Sequence, residues 1–160
     1  MSVQMNIQGL MIDPVSQMPI VVLKDTSGQH VLPIWVGIFE ANAIAQQLEK
    51  VQSPRPMTHD LLRSAIEHLG ASIDRIVVTD LREATFYATL HLVREGQETQ
   101  VDARPSDAMA LALRCDAPIF VEESVLEKST NPADADAREP DRLRRWLETV
   151  DPQELGQYEM

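Results

Sequence analysis

The segment EANAIA at residues 40–45 recurs as DAMALA at residues 107–112, an offset of 67 residues. In each copy an acid is followed by alanine at the second, fourth and sixth positions and by an aliphatic residue at the fifth. Apolar residues spaced i, i+3, i+4 and i+7 indicate one face of an α-helix. The sequence therefore predicts two equivalent helices whose alanine-rich faces approach a sheet closely. The positions are Ala41, Ile44, Ala45 and Leu48 in the first helix, and Ala108, Leu111, Ala112 and Cys115 in the second.

Three apolar stretches with turn residues between them precede each of these helices, and Gly28 and Gly96 mark equivalent turns. The pattern predicts a β-β-β-α unit in each half, over residues of about 5–50 and 74–115. A further amphipathic helix is predicted over 58–69, with a short last strand near residue 119. We expect an α+β fold in which duplicated β-β-β-α units form one mixed, barrel-like sheet with helices packed on it.

Composition divides the chain into a domain over 1–128, a linker over 129–139 and a tail over 140–160. The linker is small and polar, so we expect it to be flexible. In the tail, apolar residues recur at helical spacing and predict a short amphipathic helix, which is too short to be stable alone and should dock on the domain or on another subunit. These tail residues are Leu143, Trp146, Leu147 and Val150.

The composition also limits the classes of function. A net charge of −11 disfavours long-range attraction to phosphate backbones or anionic lipid. No apolar run approaches the ~18 residues of a membrane helix, and the N-terminus lacks the features of a signal peptide. We therefore expect a cytoplasmic protein with no membrane partner. The single cysteine, Cys115, excludes an internal disulfide and is interpreted as a buried small hydrophobe.

Several separate motifs occur in one order along the domain. They are LPIWVG at 32–37, EANAIA at 40–45, RPMTHDLL at 55–62, FYATL at 86–90, DARPSDAMALAL at 102–113 and APIFVEESVL at 117–126. In this combination the chain resembles the bifunctional nuclease family over residues 5–127. The resemblance implies duplicated β-β-β-α units, assembly into oligomers, and the DNase and RNase activity with which plant members are credited. It transfers no catalytic residue, so the chemistry has to be argued from this chain.

Two corners share an Arg-Pro pair ahead of a hydroxyl residue and an acid, at residues 55–60 and 104–107. The unpaired N–H groups and the dipole of a helix start favour an anion, and an arginine adds donors suited to a phosphodiester. Arg55 and Arg104 are therefore candidate phosphate-binding residues. In the alternative interpretation, Asp60 and Asp107 only complement the helix ends and the two arginines pair with them.

His59 is the candidate general base, because an imidazole exchanges protons near neutral pH. Asp60 and Asp107 complete the predicted catalytic set. Glu40, Asp102 and Asp107 are the candidate ligands of Mg²⁺ or Mn²⁺, since hard cations prefer carboxylates, and no organic cofactor is expected. The alternative is that the acids at the two helix starts serve only as caps.

The remaining aromatic, histidine and arginine residues carry weaker signals. His30, His68 and His91 are expected at the surface or in turns, without a catalytic role. Trp35 and Phe39 allow two interpretations, stacking on a base or packing in the core or against another subunit. The basic cluster of Arg142, Arg144 and Arg145 is interpreted as a solvated helix face.

Two functions are thus compatible with the sequence. The first is a nuclease that hydrolyses phosphodiester bonds of DNA or RNA with low sequence specificity and divalent-metal assistance. The second is a non-catalytic oligomeric module with a binding or regulatory role. The chain has no nucleotide-binding glycine loop, G-x-S-x-G elbow or HExxH helix, so several other enzyme classes lose support. Self-association is expected under either function.

Overall fold

A computed structural model describes residues 1–130 of the chain. It contains seven strands and four helices in an α+β arrangement, as predicted. The first half comprises β1 (Ser2–Ile12), β2 (Pro19–Asp25), β3 (Val31–Trp35) and α1 (Ile38–Leu48). The connecting helix is α2 (Thr58–His68). The second half comprises β4 (Ala71–Arg82), β5 (Thr85–Arg94), β6 (Gln97–Ala103), α3 (Pro105–Cys115), β7 (Ile119–Glu122) and α4 (Glu123–Thr130).

The strands form one sheet in the order β3-β2-β1-β7-β4-β5-β6. Each three-stranded group is an antiparallel meander, and β7 lies between the groups, antiparallel to β1 and parallel to β4. The sheet is therefore mixed, as predicted. It is open rather than barrel-like, because β3 and β6 are edge strands that do not pair with each other in residues 1–130.

The helices of the two halves keep the 67-residue offset, and the equivalent turn glycines are 68 residues apart. Helix α1 begins and ends 67 residues before α3, and the acids Glu40 and Asp107 are each the third residue of their helix. Gly28 and Gly96 both have a positive φ, of 75° and 77°, in the turn between the second and third strand of each group. The descent of the halves from one duplicated unit stays a prediction.

The core lies between the sheet and the two equivalent helices. Ala41 and Ile44 of α1 are buried, as are Ala108 and Leu111 of α3, and they pack with apolar residues of the strands, to which β6 contributes only the partly buried Ala103. The small alanine side chains allow this close approach. At the ends of the predicted faces, Leu48 is exposed and Cys115 is only half-buried.

Helix α2 has no buried residue, although its sequence is strongly amphipathic. The Leu61 side chain is 62% exposed, and Leu69 is also exposed. Gly70 ends the helix with a φ of 81°, which a residue without a Cβ adopts at no steric cost. An apolar helix face thus lies uncovered on the described part of the chain.

The last described helix runs two residues past residue 128, where the domain was predicted to end. Ser129 and Thr130 end α4 rather than beginning the linker, and α4 itself was not predicted. This helix has only two buried residues, Val125 and Leu126, too few for a clear helical period. The rest of the predicted linker and the tail helix lie outside the described residues. None of the described helices has the length and apolar character needed to cross a membrane.

Candidate functional site

Arg104 joins the starts of the two equivalent helices. It is the N-cap residue of α3, and its Nη2 donates to Glu40 Oε1 of α1 at 2.7 Å. Its Nε also donates to Asp107 Oδ2 at 3.0 Å. Hydrogen bonds to Asp107 and Glu40 raise the pKa of the Arg104 guanidinium, so it stays charged. The side chain is 67% exposed, so its guanidinium remains accessible to a ligand.

His59 contacts the same aspartate from a third helix. Its Nε2 lies 2.9 Å from Asp107 Oδ1, and the imidazole donates this hydrogen bond because a carboxylate has no proton to give. In a neutral imidazole the proton on Nε2 leaves Nδ1 as an acceptor. Nδ1 makes no hydrogen bond within residues 1–130. Every buried side-chain nitrogen or oxygen of these residues has a hydrogen-bond partner, so Nδ1 is not buried. Nδ1 is therefore open to a proton from outside the protein.

These side chains lie at the rim of a cavity of about 950 Å³. Glu40, His59, Asp102, Arg104 and Asp107 all line it, so the structure brings together five of the seven predicted site residues. The rim holds three carboxylates and one guanidinium, which gives a formal balance of −2 when His59 is neutral. The remainder of the wall is largely apolar and comes from α1, α2, α3, β5 and β6.

Asp60 is directed elsewhere and does not line the cavity. Its Oδ1 accepts from Arg114 Nε at 2.7 Å, and its Oδ2 accepts from the backbone N–H of Met57 at 2.9 Å. Burial acts to raise the pKa of Asp60, but the hydrogen bonds from Met57 and Arg114 outweigh it and lower that pKa. Asp60 thus holds the first turn of α2, and with it His59, against α3. Met57 is the N-cap residue of α2.

Arg55 lies four residues before His59, outside the cavity lining. Its side chain is exposed and makes no ion pair with any residue of the described part. The two Arg-Pro corners are therefore not equivalent. Arg104 pairs with acids, as the alternative interpretation expected, whereas Arg55 does not.

The predicted metal ligands share the cavity, but their present arrangement does not fit a metal ion. Glu40 and Asp107 are both engaged by Arg104, and Asp102 is exposed at the end of β6. Within residues 1–130 no three histidine, cysteine, aspartate or glutamate side chains are grouped so that they could hold a metal ion. A cation at these carboxylates would first have to displace Arg104.

Gly37 makes room for the Glu40 carboxylate. It is the N-cap residue of α1, with φ −69° and ψ 155°, a conformation that any residue adopts. A Cβ added to Gly37 would overlap Glu40 Oε2. A side chain at Gly37 would therefore require the flexible end of Glu40 to move.

Four residues that the sequence did not single out contribute to the site or to its support: Gly37, Asn42, Gln46 and Arg114. The Arg114 side chain is 2% exposed. A charged residue on an otherwise alanine- and leucine-rich helix indicates a buried ion pair, and that signal could have identified it. Asn42 and Gln46 line the cavity one helical turn apart on α1.

Phe39 lines the cavity, and the other candidate residues of the described part lie outside its lining. His30 pairs with Asp25, and His68 bonds to the Ser64 carbonyl. His91 is buried and contacts Glu98, so its predicted surface position was wrong. Trp35 is half-buried and donates to Asp13 Oδ2 at 3.0 Å. Burial raises the pKa of the half-buried Cys115 thiol.

The family model of the bifunctional nuclease domain matches residues 21–134 of this chain. A protein of Mycobacterium tuberculosis (strain CDC 1551 / Oshkosh), described as uncharacterized, is 37% identical over 162 residues, which cover 95% of this chain and 97% of that protein. Bifunctional nuclease 1 of Arabidopsis thaliana is 30% identical over 107 residues, covering 64% of this chain and 33% of that protein. Bifunctional nuclease 1 of Oryza sativa subsp. indica is 28% identical over 109 residues, covering 66% and 33% respectively.

Proposed function

The chain belongs to the bifunctional nuclease family, and on this premise we propose that it hydrolyses phosphodiester bonds of DNA or RNA with low sequence specificity. The observation that carries the proposal is the chain of contacts from His59 through Asp107 to Arg104 at the cavity rim. It combines a proton acceptor, a carboxylate that orients it and a donor group suited to phosphate oxygens.

Each member of this chain has a role in the proposed reaction. Asp107 holds Nε2–H of His59, so Nδ1 takes the proton of an attacking water while the water oxygen bonds to phosphorus. The bond from phosphorus to the leaving oxygen breaks, and that oxygen is protonated by the imidazolium or by solvent. Arg104 stabilises the negative charge on the phosphoryl oxygens. Glu40 keeps the Arg104 guanidinium at the rim of the cavity. Asp60 positions His59 by holding the first turn of α2 against α3.

The charge at the rim sets a condition on this proposal. A formal balance of −2 repels a phosphate, and the net charge of −11 adds no long-range attraction. Assistance by Mg²⁺ or Mn²⁺ is therefore part of the proposal. Since the carboxylates of the described residues do not fit a metal ion as arranged, the cation would accompany the substrate phosphate and offset this repulsion. No step of the reaction above is assigned to the metal.

The test is a cleavage assay on protein freed of host nucleases. Single- and double-stranded DNA and RNA are incubated with wild type and with the double variant His59→Ala/Asp107→Ala, with EDTA, Mg²⁺ or Mn²⁺. We expect the wild type to cleave and the variant, purified identically, to lose at least ~100-fold in rate, since general acid–base catalysis contributes ~10²–10⁴-fold. Equal rates would show that the activity comes from elsewhere.

A second candidate function has its own support. The uncovered apolar face of α2 suits a non-catalytic module that acts as a homo-oligomer. The same face suits an oligomeric nuclease, so self-association alone does not separate the two functions. Absence of cleavage of every substrate by an oligomeric wild-type protein would favour the module.

A further inference from the structure

We infer that the apolar part of the cavity receives one unstacked nucleobase, so that the site selects single-stranded nucleic acid. The inference rests on the proposed nuclease function and adds the form of the substrate. The cavity combines a polar rim with an apolar wall built by Leu90 and Leu92 of β5 and Val101 of β6. A volume of about 950 Å³ is at the upper end of what ligand pockets offer.

Phe39 supplies an aromatic face to the lining of the same cavity, which also includes Arg104. It precedes Glu40, whose carboxylate contacts the Arg104 guanidinium at 2.7 Å. The Phe39 side chain is 84% exposed, so it is not explained by packing within residues 1–130. A single nucleotide could place its phosphate on Arg104 and its base against Phe39. Stacking on an aromatic ring suits any base, in keeping with low sequence specificity.

Two amide side chains face the space that the base would occupy. Asn42 and Gln46 are half-buried, line the cavity and make no side-chain hydrogen bond within residues 1–130. Each amide offers both donors and acceptors, so each can meet the edge of any base. Half-buried amides beside an apolar wall distinguish this cavity from a purely apolar groove.

A duplex can fill such a pocket only at a higher cost in free energy than a single strand. Its bases are stacked and paired, and extruding one of them costs free energy that a single strand does not spend. Stacking on a base does not require attraction between the protein and the phosphate backbone, which suits a protein whose net charge is −11. The pocket thus supplies affinity that the electrostatics of this chain do not.

The test measures binding and cleavage on the same oligonucleotides with the full chain. The probes are a fluorescein-labelled 12-nucleotide single strand, its duplex, and a single strand of the same length with abasic sites. We expect the single strand to bind at least about 10-fold tighter than the duplex or the abasic strand. Phe39→Ala should weaken single-strand binding about 5- to 150-fold, equivalent to ~1–3 kcal/mol per stacked base, and leave duplex binding unchanged.

Phe39→Trp should retain tight single-strand binding, and Val15→Ala, at an exposed apolar residue outside the cavity, should behave as wild type. Equal binding of all three probes, or an equal loss on all of them in Phe39→Ala, would overturn the base pocket while cleavage by the wild type upholds the nuclease. A fall in oligomeric mass in Phe39→Ala would also overturn it, because Phe39 would then be a subunit contact. Base-dependent binding without any cleavage would support the pocket and overturn the nuclease.

Discussion

His59 Nε2 lies 2.9 Å from Asp107 Oδ1, although 48 residues separate them along the chain. The contact joins α2 to α3 at the same point where Arg104 joins α3 to α1. Three helix starts therefore meet at one rim, and their first-turn residues are those that the proposed chemistry uses.

Arg104→Lys should impair the phosphate contact without removing the charge. A lysine keeps the positive charge but lacks the planar set of N–H donors with which the guanidinium binds Glu40 and Asp107 together. We expect kcat/KM for cleavage to fall at least ~10-fold. Arg82→Lys is the matched control, because Arg82 is an exposed arginine paired with Asp80 outside the cavity. Similar kinetics for both variants would contradict the role of Arg104.

Gly37→Ala should separate activity from stability. The backbone at Gly37 accepts alanine, and replacing glycine at a compatible position typically adds ~0.4–1 kcal/mol of stability. The new Cβ displaces the Glu40 carboxylate, which then no longer holds Arg104. We expect an unchanged or slightly higher melting temperature together with a loss of cleavage like that of Glu40→Gln. Gly37→Ala with full activity would show that the position of Glu40 is unimportant.

Asp60→Asn should destabilise the fold, because it leaves the buried Arg114 guanidinium without its counter-charge. Removing one partner of a buried pair costs ~3–5 kcal/mol, and we expect about 2–4 kcal/mol here since the Asp60 carboxylate is partly exposed. Urea unfolding at pH 7 measures this change in the free energy of unfolding. Asp74→Asn, at an exposed acid of β4, is the control and should change the free energy of unfolding much less.

The same pair predicts how stability depends on pH. The pKa of Asp60 is lower in the folded chain than its ordinary value of 3.8, so the pair stabilises the fold fully above about pH 4. That contribution is lost as the pH falls below 3.8 through the lowered pKa. Asp60→Asn should therefore reduce the stability difference between pH 7 and pH 3 relative to wild type. An unchanged difference would contradict the pairing.

The exposed face of α2 predicts self-association through that helix. If a second copy covers Leu61, Leu61→Lys should lower the mass seen by light scattering toward the 17.9 kDa of one chain. Val15→Lys places the same charge on an exposed residue of the β1–β2 turn and should leave the mass unchanged. A wild type that is already monomeric would contradict this prediction.

Much of the fold follows from local sequence patterns. The repeat around Glu40 and Asp107 predicted α1 and α3 because burial against the sheet imposes the helical period that the alanines display. Closure into a barrel was wrong, since a strand pattern does not specify whether β3 and β6 pair. A short helix such as α4 leaves too few buried positions to produce a readable period.

The site was predicted as a set of residue types, not as a set of contacts. The sequence left open whether Arg104 grips a ligand or pairs with acids, because that depends on how close α1 lies to α3. It placed Asp60 beside His59, yet consecutive residues of a helix point in different directions and Asp60 meets Arg114. Contacts between distant segments are decided by packing, which local patterns do not encode.

The most direct test of the central claim compares the cleavage rates of His59→Ala and His68→Ala on one single-stranded substrate. Both histidines lie on α2, but only His59 lies at the rim of the cavity and contacts Asp107. His68 bonds to a backbone carbonyl at the other end of the helix. We expect a loss of at least ~100-fold for His59→Ala and a rate near wild type for His68→Ala. Equal rates for the two variants would contradict the assignment of the active site.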